Sequence, residues 1–460
     1  MPSTARPRPR VRHPRWWADE HSRPDRTWLS CDVESIRYAD PVTDVLSRSV
    51  YLRWRNAVFA IFAASGLSIA TWAARVPTIK EDLGIENREI GLALLAMGIA
   101  SILGLSASSV IIARLGTRTG MFGVLITLSI GLAILGLGSG FFHSYAMLIV
   151  GLALFGFGNG CLDVMMNVDG AAIETQSGKT ILPLFHAFFS FGTVIGAGLG
   201  AIAAGLRIGV AIHAVTIAAL IVVLAIVAIA NVPRRAVTDA VAADSAAPEA
   251  APADGPAPGW RQRLAVSLSA WREPRTYTLG IIMLGMAFAE GGANDWLALG
   301  VVEHEGGTAA IGAAALTVFS VSMTVVRVFG GPLVDRFGRV ATLRVLAVAA
   351  TAGILLFILA PNLPLVFVGA ALWGIGASLG FPLGMSAAAD DPARAAARVS
   401  AAATIGYVAF LCGPPVLGFI SDHIGLLPTL FILVVLVAAS GLASSAAKPL
   451  PGAKVGAGRH

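Results

Sequence analysis

Asn159, Asp163 and Asn167 stand at i, i+4 and i+8 in an otherwise apolar stretch, a spacing that puts all three on one stripe of an α-helix. Glu290 and Asn294 form a second i, i+4 stripe with Asp295 beside it, and Arg327 lies within a third apolar stretch. An ionised group at the centre of a bilayer costs about 2.5 to 3.5 kcal/mol on insertion scales, so such residues usually face a water-filled cavity. Carboxylates placed there can trade protons, and amides offer paired donors and acceptors to hydroxyl groups. We therefore expect Asn159, Asn167, Glu290, Asn294 and Trp296 to bind a substrate. Asp163, Glu290, Asp295 and Arg327 are expected to couple or gate its movement. Counted at about 1.5 Å per residue, Arg327 lies level with Asp163. The two are expected to pair in one state and to separate when Asp163 is protonated; the competing reading is a permanent charge that only holds the helices together.

The aromatic residues have two readings. An indole face covers the apolar C–H surface of a sugar ring, which suits Trp72, Trp296 and Trp373 to a sugar-like or polyol cargo. Trp also gathers at membrane interfaces, which makes each of them an anchor or packing residue instead. His186, Ser190 and Thr193 share a helix face and either add polar contacts or bond to neighbouring helices. Arg75 reads as an interface charge that snorkels toward water, or as a gate. No GxxxxGK[ST] phosphate loop occurs, so ATP-driven transport has no support in the sequence. No catalytic constellation, metal-ligand cluster or cofactor motif is recognisable, and an enzyme is not expected.

Composition sets the elements that must position these groups. With 56% hydrophobic and 13% charged residues and a mean hydropathy of +0.76, the chain is too apolar for a water-soluble protein of 460 residues. A net charge of +6 would suggest nucleic acid in a soluble protein, but here the basic residues gather at the ends and in loops, where they read as topology signals. Cys31, Cys161 and Cys412 are too scattered to imply a disulfide framework.

A transmembrane helix needs about 20 apolar residues. Twelve such runs are present, near 54–74, 89–113, 119–140, 145–168, 183–206 and 208–230, then 276–301, 309–333, 340–360, 364–388, 398–421 and 426–447. The two sets of six repeat one another. Trp72 answers Trp296 at a spacing of 224, Arg114 answers Arg336 at 222, Gly158 answers Gly376 at 218 and Gly192 answers Gly406 at 214. The expected fold is an all-α membrane protein of 12 transmembrane helices in two pseudo-symmetric six-helix halves, 53–231 and 276–447. Duplication of this kind is how secondary transporters place a substrate between two rocking halves. Within the repeat the polar residues are asymmetric: Asp163 and Asn167 face Phe381 and Met385, while Glu290, Asn294 and Asp295 face Gly66, Ala70 and Thr71.

Residues 1–52 are polar and Arg/Pro-rich and read as a disordered cytoplasmic tail. The segment 232–275 reads as a linker, and within it 260–272 has the spacing of an interfacial helix or of a solvated lead-in. The termini and even-numbered loops hold 28 of the 33 Lys and Arg residues, the odd-numbered loops four and an apolar run one. The positive-inside rule then makes both termini, including 448–460, and the central linker cytoplasmic.

Six plus six helices, a central linker and GGPLVDRFGR at 330–339 together resemble the major facilitator superfamily. Gly331, Asp335, Arg336, Gly338 and Arg339 would form its cytoplasmic latch, with Gly331 at a close helix approach and Asp335 facing a helix N-terminus. The first-half loop, SVIIARLGTR at 109–118, keeps Arg114 and Gly116 but has Ser109 and Ala113 where Gly and Asp are expected. YAMLIVGLALFGFGNGCLDVMMN at 145–167, PLFHAFFSFGTVIGAG at 183–198 and FAEGGANDWLAL at 288–299 are similar to the poorly characterised bacterial inner-membrane relatives of the fucose-proton symporter branch. That branch carries an acidic residue at the place of Asp163, an asparagine at Asn167 and a carboxylate in helix 1, which is absent from 54–74 here. The resemblance implies helices 1, 4, 7 and 10 around a central cavity, and transport of a small polar, sugar-like molecule with protons. The partners expected are the substrate, protons and the lipid bilayer, with no nucleic acid, and the chain is expected to be a monomer. A drug or metabolite exporter of the same fold is the alternative, and a non-transporting membrane sensor is the alternative from another class.

Overall fold

The computed structural model describes residues 47–177, 181–233, 269–304, 306–391 and 394–450, and every regular element among them is helical. The expectations for most of the N-terminal tail, for most of the linker with its interfacial segment, and for the last ten residues lie outside the described residues.

Twelve spans are present among the described residues. Span 1 is Arg48–Ala73, starting a few residues before the apolar run, and a short helix, Val76–Leu83, follows it on the side away from the start of span 1, the outer side of the expected topology. Spans 2 and 3 share the helix Asn87–Gly140, which turns at Gly116, where φ is 73°. Span 4 is Tyr145–Ser177, span 5 Leu182–Gly205 and span 6 Val210–Ala230. In the second half, span 7 runs through Pro274–Gly292, a π-turn at Ala293–Leu297 and Ala298–Val302. Spans 8 and 9 share Ala309–Leu359, which turns at Gly338 with φ at 79°. Span 10 is Leu363–Ala377 continued by Gly380–Ala388, and span 11 is Ala395–Ile424. Span 12 is Leu426–Thr429 with Phe431–Ala443. By length and hydropathy nine continuous helices among the described residues qualify as spans, because two of them hold two spans each and span 7 is broken.

The matched bends at Gly116 and Gly338 are the clearest structural trace of the repeat. Both take nearly the same left-handed conformation, which glycine adopts without the Cβ clash that penalises other residues. Large apolar side chains such as Leu103, Val223, Val348 and Leu442 remain exposed on the outside of the bundle, as befits a surface solvated by lipid rather than water.

Within each half the spans pack against one another, and between halves span 2 lies on span 11 and span 5 on span 8. Spans 2 and 11 approach backbone to backbone. A Cβ added at Gly91 would sit 2.7 Å from the Pro414 carbonyl oxygen, and one at Gly418 would sit 2.6 Å from that of Asn87. The Arg88 amide donates to Asp422 Oδ2 at 3.1 Å across the same seam. The short outer helix Val76–Leu83 reaches the second half, touching the segment Ala298–Val302, with Val76, Ile79 and Val301 fully buried. The halves are thus closed against each other on the outer side.

Candidate functional site

Beneath that seam lies a cavity of about 570 Å³ between the halves. Its walls come from spans 1, 2, 4, 5, 7, 8 and 11. Span 10 contributes no lining residue, contrary to the expectation from resemblance. Its Trp373 is fully buried and donates from Nε1 to the Ala289 carbonyl at 2.9 Å, so this indole fastens span 10 to span 7 rather than covering cargo.

The first-half wall presents Asn159 and Asp163. Asn159 Oδ1 accepts from Ser65 Oγ at 2.8 Å, tying span 4 to span 1. Asn167, one turn further in, is not a lining residue: its Nδ2 donates to the Asp163 carbonyl at 2.7 Å and approaches Asp163 Oδ1 at 3.4 Å. In this structure Asn167 thus bonds within its own helix. Asp163 has no ion-pair partner among the described residues.

The second-half wall presents Glu290, Asn294 and Asp295. In a regular α-helix Asn294 alone would continue the Glu290 stripe. The π-turn at 293–297 has one extra residue per turn, and with it both Asn294 and Asp295 reach the cavity. Trp296, within the same turn, is fully buried and is not among the residues that line this cavity. Its repeat counterpart Trp72 does line the cavity. Sequence periodicity carried no signal for the π-turn.

Arg327 bonds to Glu290, not to Asp163. Its Nη2 lies 2.8 Å from Glu290 Oε2, Nε donates to the Ser378 carbonyl at 3.0 Å, and Nη1 donates to Ser190 Oγ of span 5 at 3.2 Å. Depth along the helices could not distinguish the two carboxylates. The partner was decided by adjacency, since spans 7, 8 and 10 belong to one bundle. Ser190 is thus a cross-half acceptor, and Thr193 next to it lines the cavity.

The turn between spans 8 and 9 carries the residues expected to form a latch. Gly331 has no neighbouring atom within 4 Å of an added Cβ, so it marks no close approach, and Asp335 is exposed with no ion pair among the described residues. Arg336 lies over the Phe337 ring at 5.4 Å. Gly338 bends the chain, and Arg339 then reaches Asp390 at the end of span 10, Nη2 to Oδ1 at 2.7 Å. Asp390 also takes Arg275 at 2.9 Å. Beside it Glu273 accepts from Arg394 and Arg398 at 2.9 and 2.6 Å. Partial burial pushes the Glu273 carboxyl upward, but the bonds from Arg398 and Arg394 outweigh it and hold it below the ordinary carboxylate range. Asp390 could have been found from the repeat, because it stands 216 residues after Glu174, within the drift of the other pairs. Glu174 caps span 5 by accepting from the Ile181 and Leu182 amides at 2.7 and 2.9 Å.

Arg75 does not snorkel. It is 3% exposed and donates from Nη2 to the Ile208 carbonyl at 2.8 Å, joining spans 1 and 6 at their outer ends.

Two six-helix bundles around an occludable central cavity define a membrane transporter rather than an enzyme. The chain belongs to the Major Facilitator Superfamily, whose pattern matches residues 57–403 and 296–457. It is 28% identical over 379 residues to an uncharacterized transporter of Sinorhizobium fredii, covering 82% of this chain and 93% of that protein. An uncharacterized MFS-type transporter of Yersinia pestis is 28% identical over 366 residues, covering 78% and 87%. Among solved structures, the E. coli fucose:proton symporter aligns with a TM-score of 0.56 at 18% identity, covering 88% of this chain and all of that one. The nucleoside transporter NupG aligns with a TM-score of 0.64 at 15% identity, covering 87% of this chain. These structural likenesses establish the fold.

Proposed function

We propose that this protein is a proton-coupled secondary transporter that moves a small polar, sugar-like metabolite by alternating access. The observation that carries the reading is the pair of cavity carboxylates, Asp163 and Asp295, that lack a cationic partner among the described residues. A carboxylate in this setting gains most from a proton or from a cargo donor, and its neutralisation removes the cost of moving it through a closed state. Asn159, Asn294, Ser101, Thr193 and Thr404 supply the acceptors and donors that a hydroxylated cargo needs. The protein is read as a monomer in the bacterial inner membrane with its termini in the cytoplasm.

Uptake of a labelled sugar panel into proteoliposomes under an imposed proton gradient tests this. Gradient-driven accumulation is expected, and Asp163→Asn should abolish it. Export of an apolar compound is the second reading, favoured by the Ile69, Met97, Leu105, Met323, Val408 and Leu411 side chains that line the cavity. No sugar accumulation, together with greater toxicity of a hydrophobic compound on deletion, would select the exporter.

A further inference from the structure

The charges of the cavity do not balance. Asp163, Glu290 and Asp295 line it, and no lining residue is Lys, Arg or His. The nearest fixed cation, Arg327, is committed to Glu290, Ser190 Oγ and the Ser378 carbonyl. Two carboxylates are left to be neutralised by whatever enters. A neutral polyol needs donors and acceptors in similar number and gives no reason for this excess.

The aromatic residues point the same way. Trp72, Phe155, Phe189 and Tyr407 all line the cavity. The negative faces of aromatic rings attract an ammonium group, most strongly where water is excluded. Trp72 is 2% exposed, and its Nε1 has no hydrogen-bond partner. Aromatic rings next to carboxylates without cationic partners among the described residues are the chemistry that recognises a positively charged organic group. The volume suits one, since small-molecule cavities of about 300 to 1,000 Å³ enclose a compact organic molecule.

We infer that the cargo is an organic ammonium ion, held by Asp163 and Asp295 with Trp72 beside them, and that it competes with protons for the same carboxylates. This rests on the transporter reading and adds the charge of the cargo. The exchange balances: each proton released from a carboxylic acid leaves one negative charge for one ammonium. Besides the three carboxylates, Tyr407 faces this space, and Arg327 and His186 stand behind its wall, so a pH response must be assigned by substitution.

Binding to the purified full-length protein is measured by calorimetry with glucose, glucosamine and benzyltrimethylammonium. At neutral pH glucosamine should bind at least tenfold tighter than glucose, and benzyltrimethylammonium should bind as well. Because benzyltrimethylammonium cannot lose a proton, its weakening as pH falls reports protonation of the protein. Asp163→Asn with Asp295→Asn should weaken both cations at least tenfold without lowering thermal stability, and Asn294→Asp should tighten them. Glucose binding as tightly as glucosamine, neither cation binding, or cation affinity unchanged in the double variant would each overturn the inference. Flux assays separate its failure from that of the transport reading. Cation binding without flux removes transport and leaves the charge assignment, whereas sugar flux without cation binding does the reverse.

Discussion

The two walls of the cavity carry carboxylates in different settings. In the second half Glu290 is locked to Arg327 at 2.8 Å, and the guanidinium is shared with span 10 and span 5. In the first half Asp163 has no ion-pair partner among the described residues; the Asn167 amide approaches it at 3.4 Å, and Tyr407 lines the same cavity. A paired charge is a structural tie, because removing one partner leaves the other stranded. An unpaired one is free to change its protonation state. The duplication that built the two bundles therefore did not duplicate their polar residues: one wall holds an ion pair, and the other holds a carboxylate with no ion-pair partner among the described residues. Asp295 brings that second behaviour into the second half, through a π-turn that the first half lacks.

The largest effect is expected from breaking the fixed pair. Arg327→Met leaves Glu290 uncompensated, which for a buried pair costs about 3 to 5 kcal/mol. The measurement is thermal stability of the purified variant, alone and combined with Glu290→Gln. The single variant should be strongly destabilised and the double variant largely restored. Equal stability of the single and double variants would show that Glu290 does not depend on Arg327.

Next in size is the exchangeable wall. Asp163→Asn should keep the fold but lose gradient-driven accumulation by about tenfold or more, as general proton-transfer roles do. If accumulation survives in both Asp163→Asn and Asp295→Asn, neither residue is a coupling group and the contrast between the walls loses its functional meaning.

Closure on the outer side gives a third, conformational prediction. Gly91→Val places atoms where the Pro414 carbonyl already lies 2.7 Å from an added Cβ. Overpacking of this kind commonly costs about 1 to 3 kcal/mol, and here the cost falls only on the outward-closed state. The equilibrium should shift toward outward-open, read as faster labelling of a cysteine at Ile69 by an impermeant thiol reagent. Unchanged labelling would mean that the seam between spans 2 and 11 does not hold the closure.

How far the sequence reached follows from the physical range of each signal. The twelve spans and their repeat were legible, because hydropathy is local. Asp163, Asn159, Glu290, Asn294 and Asp295 were legible as cavity residues, because a polar group in an apolar helix has few affordable directions. The Arg327–Glu290 pair was not, since depth along a helix says nothing of which neighbouring helix lies closest. The π-turn that contains Trp296 and the intrahelical bond of Asn167 were not legible either, because regular helical spacing contains no signal for them. The contact of Arg339 with Asp390 joins spans 9 and 10, which a contiguous loop motif does not reveal.

The smallest effect is expected at the cytoplasmic base, where the halves differ again. Glu174 of the first half caps span 5 through backbone amides, while the corresponding region of the second half gathers Glu273, Asp390 and four arginines. Glu273 has its carboxyl held below the ordinary range, so its stabilising contribution is present above the unfolded-state value and is lost as pH falls through the folded one. Arg394 is 58% exposed, and water screens much of that pair. Glu273→Gln is therefore expected to lower stability by under about 1 kcal/mol at neutral pH. The difference from the unmodified protein should vanish in acid, where the native carboxylate is itself protonated. A thermal-melting series against pH measures this. A gap that stays constant down to pH values below the carboxylate range would mean that the bonds from Arg394 and Arg398 do not depend on the charge of Glu273, and that the base of the second half is held by packing, as the first half is held by its helix cap.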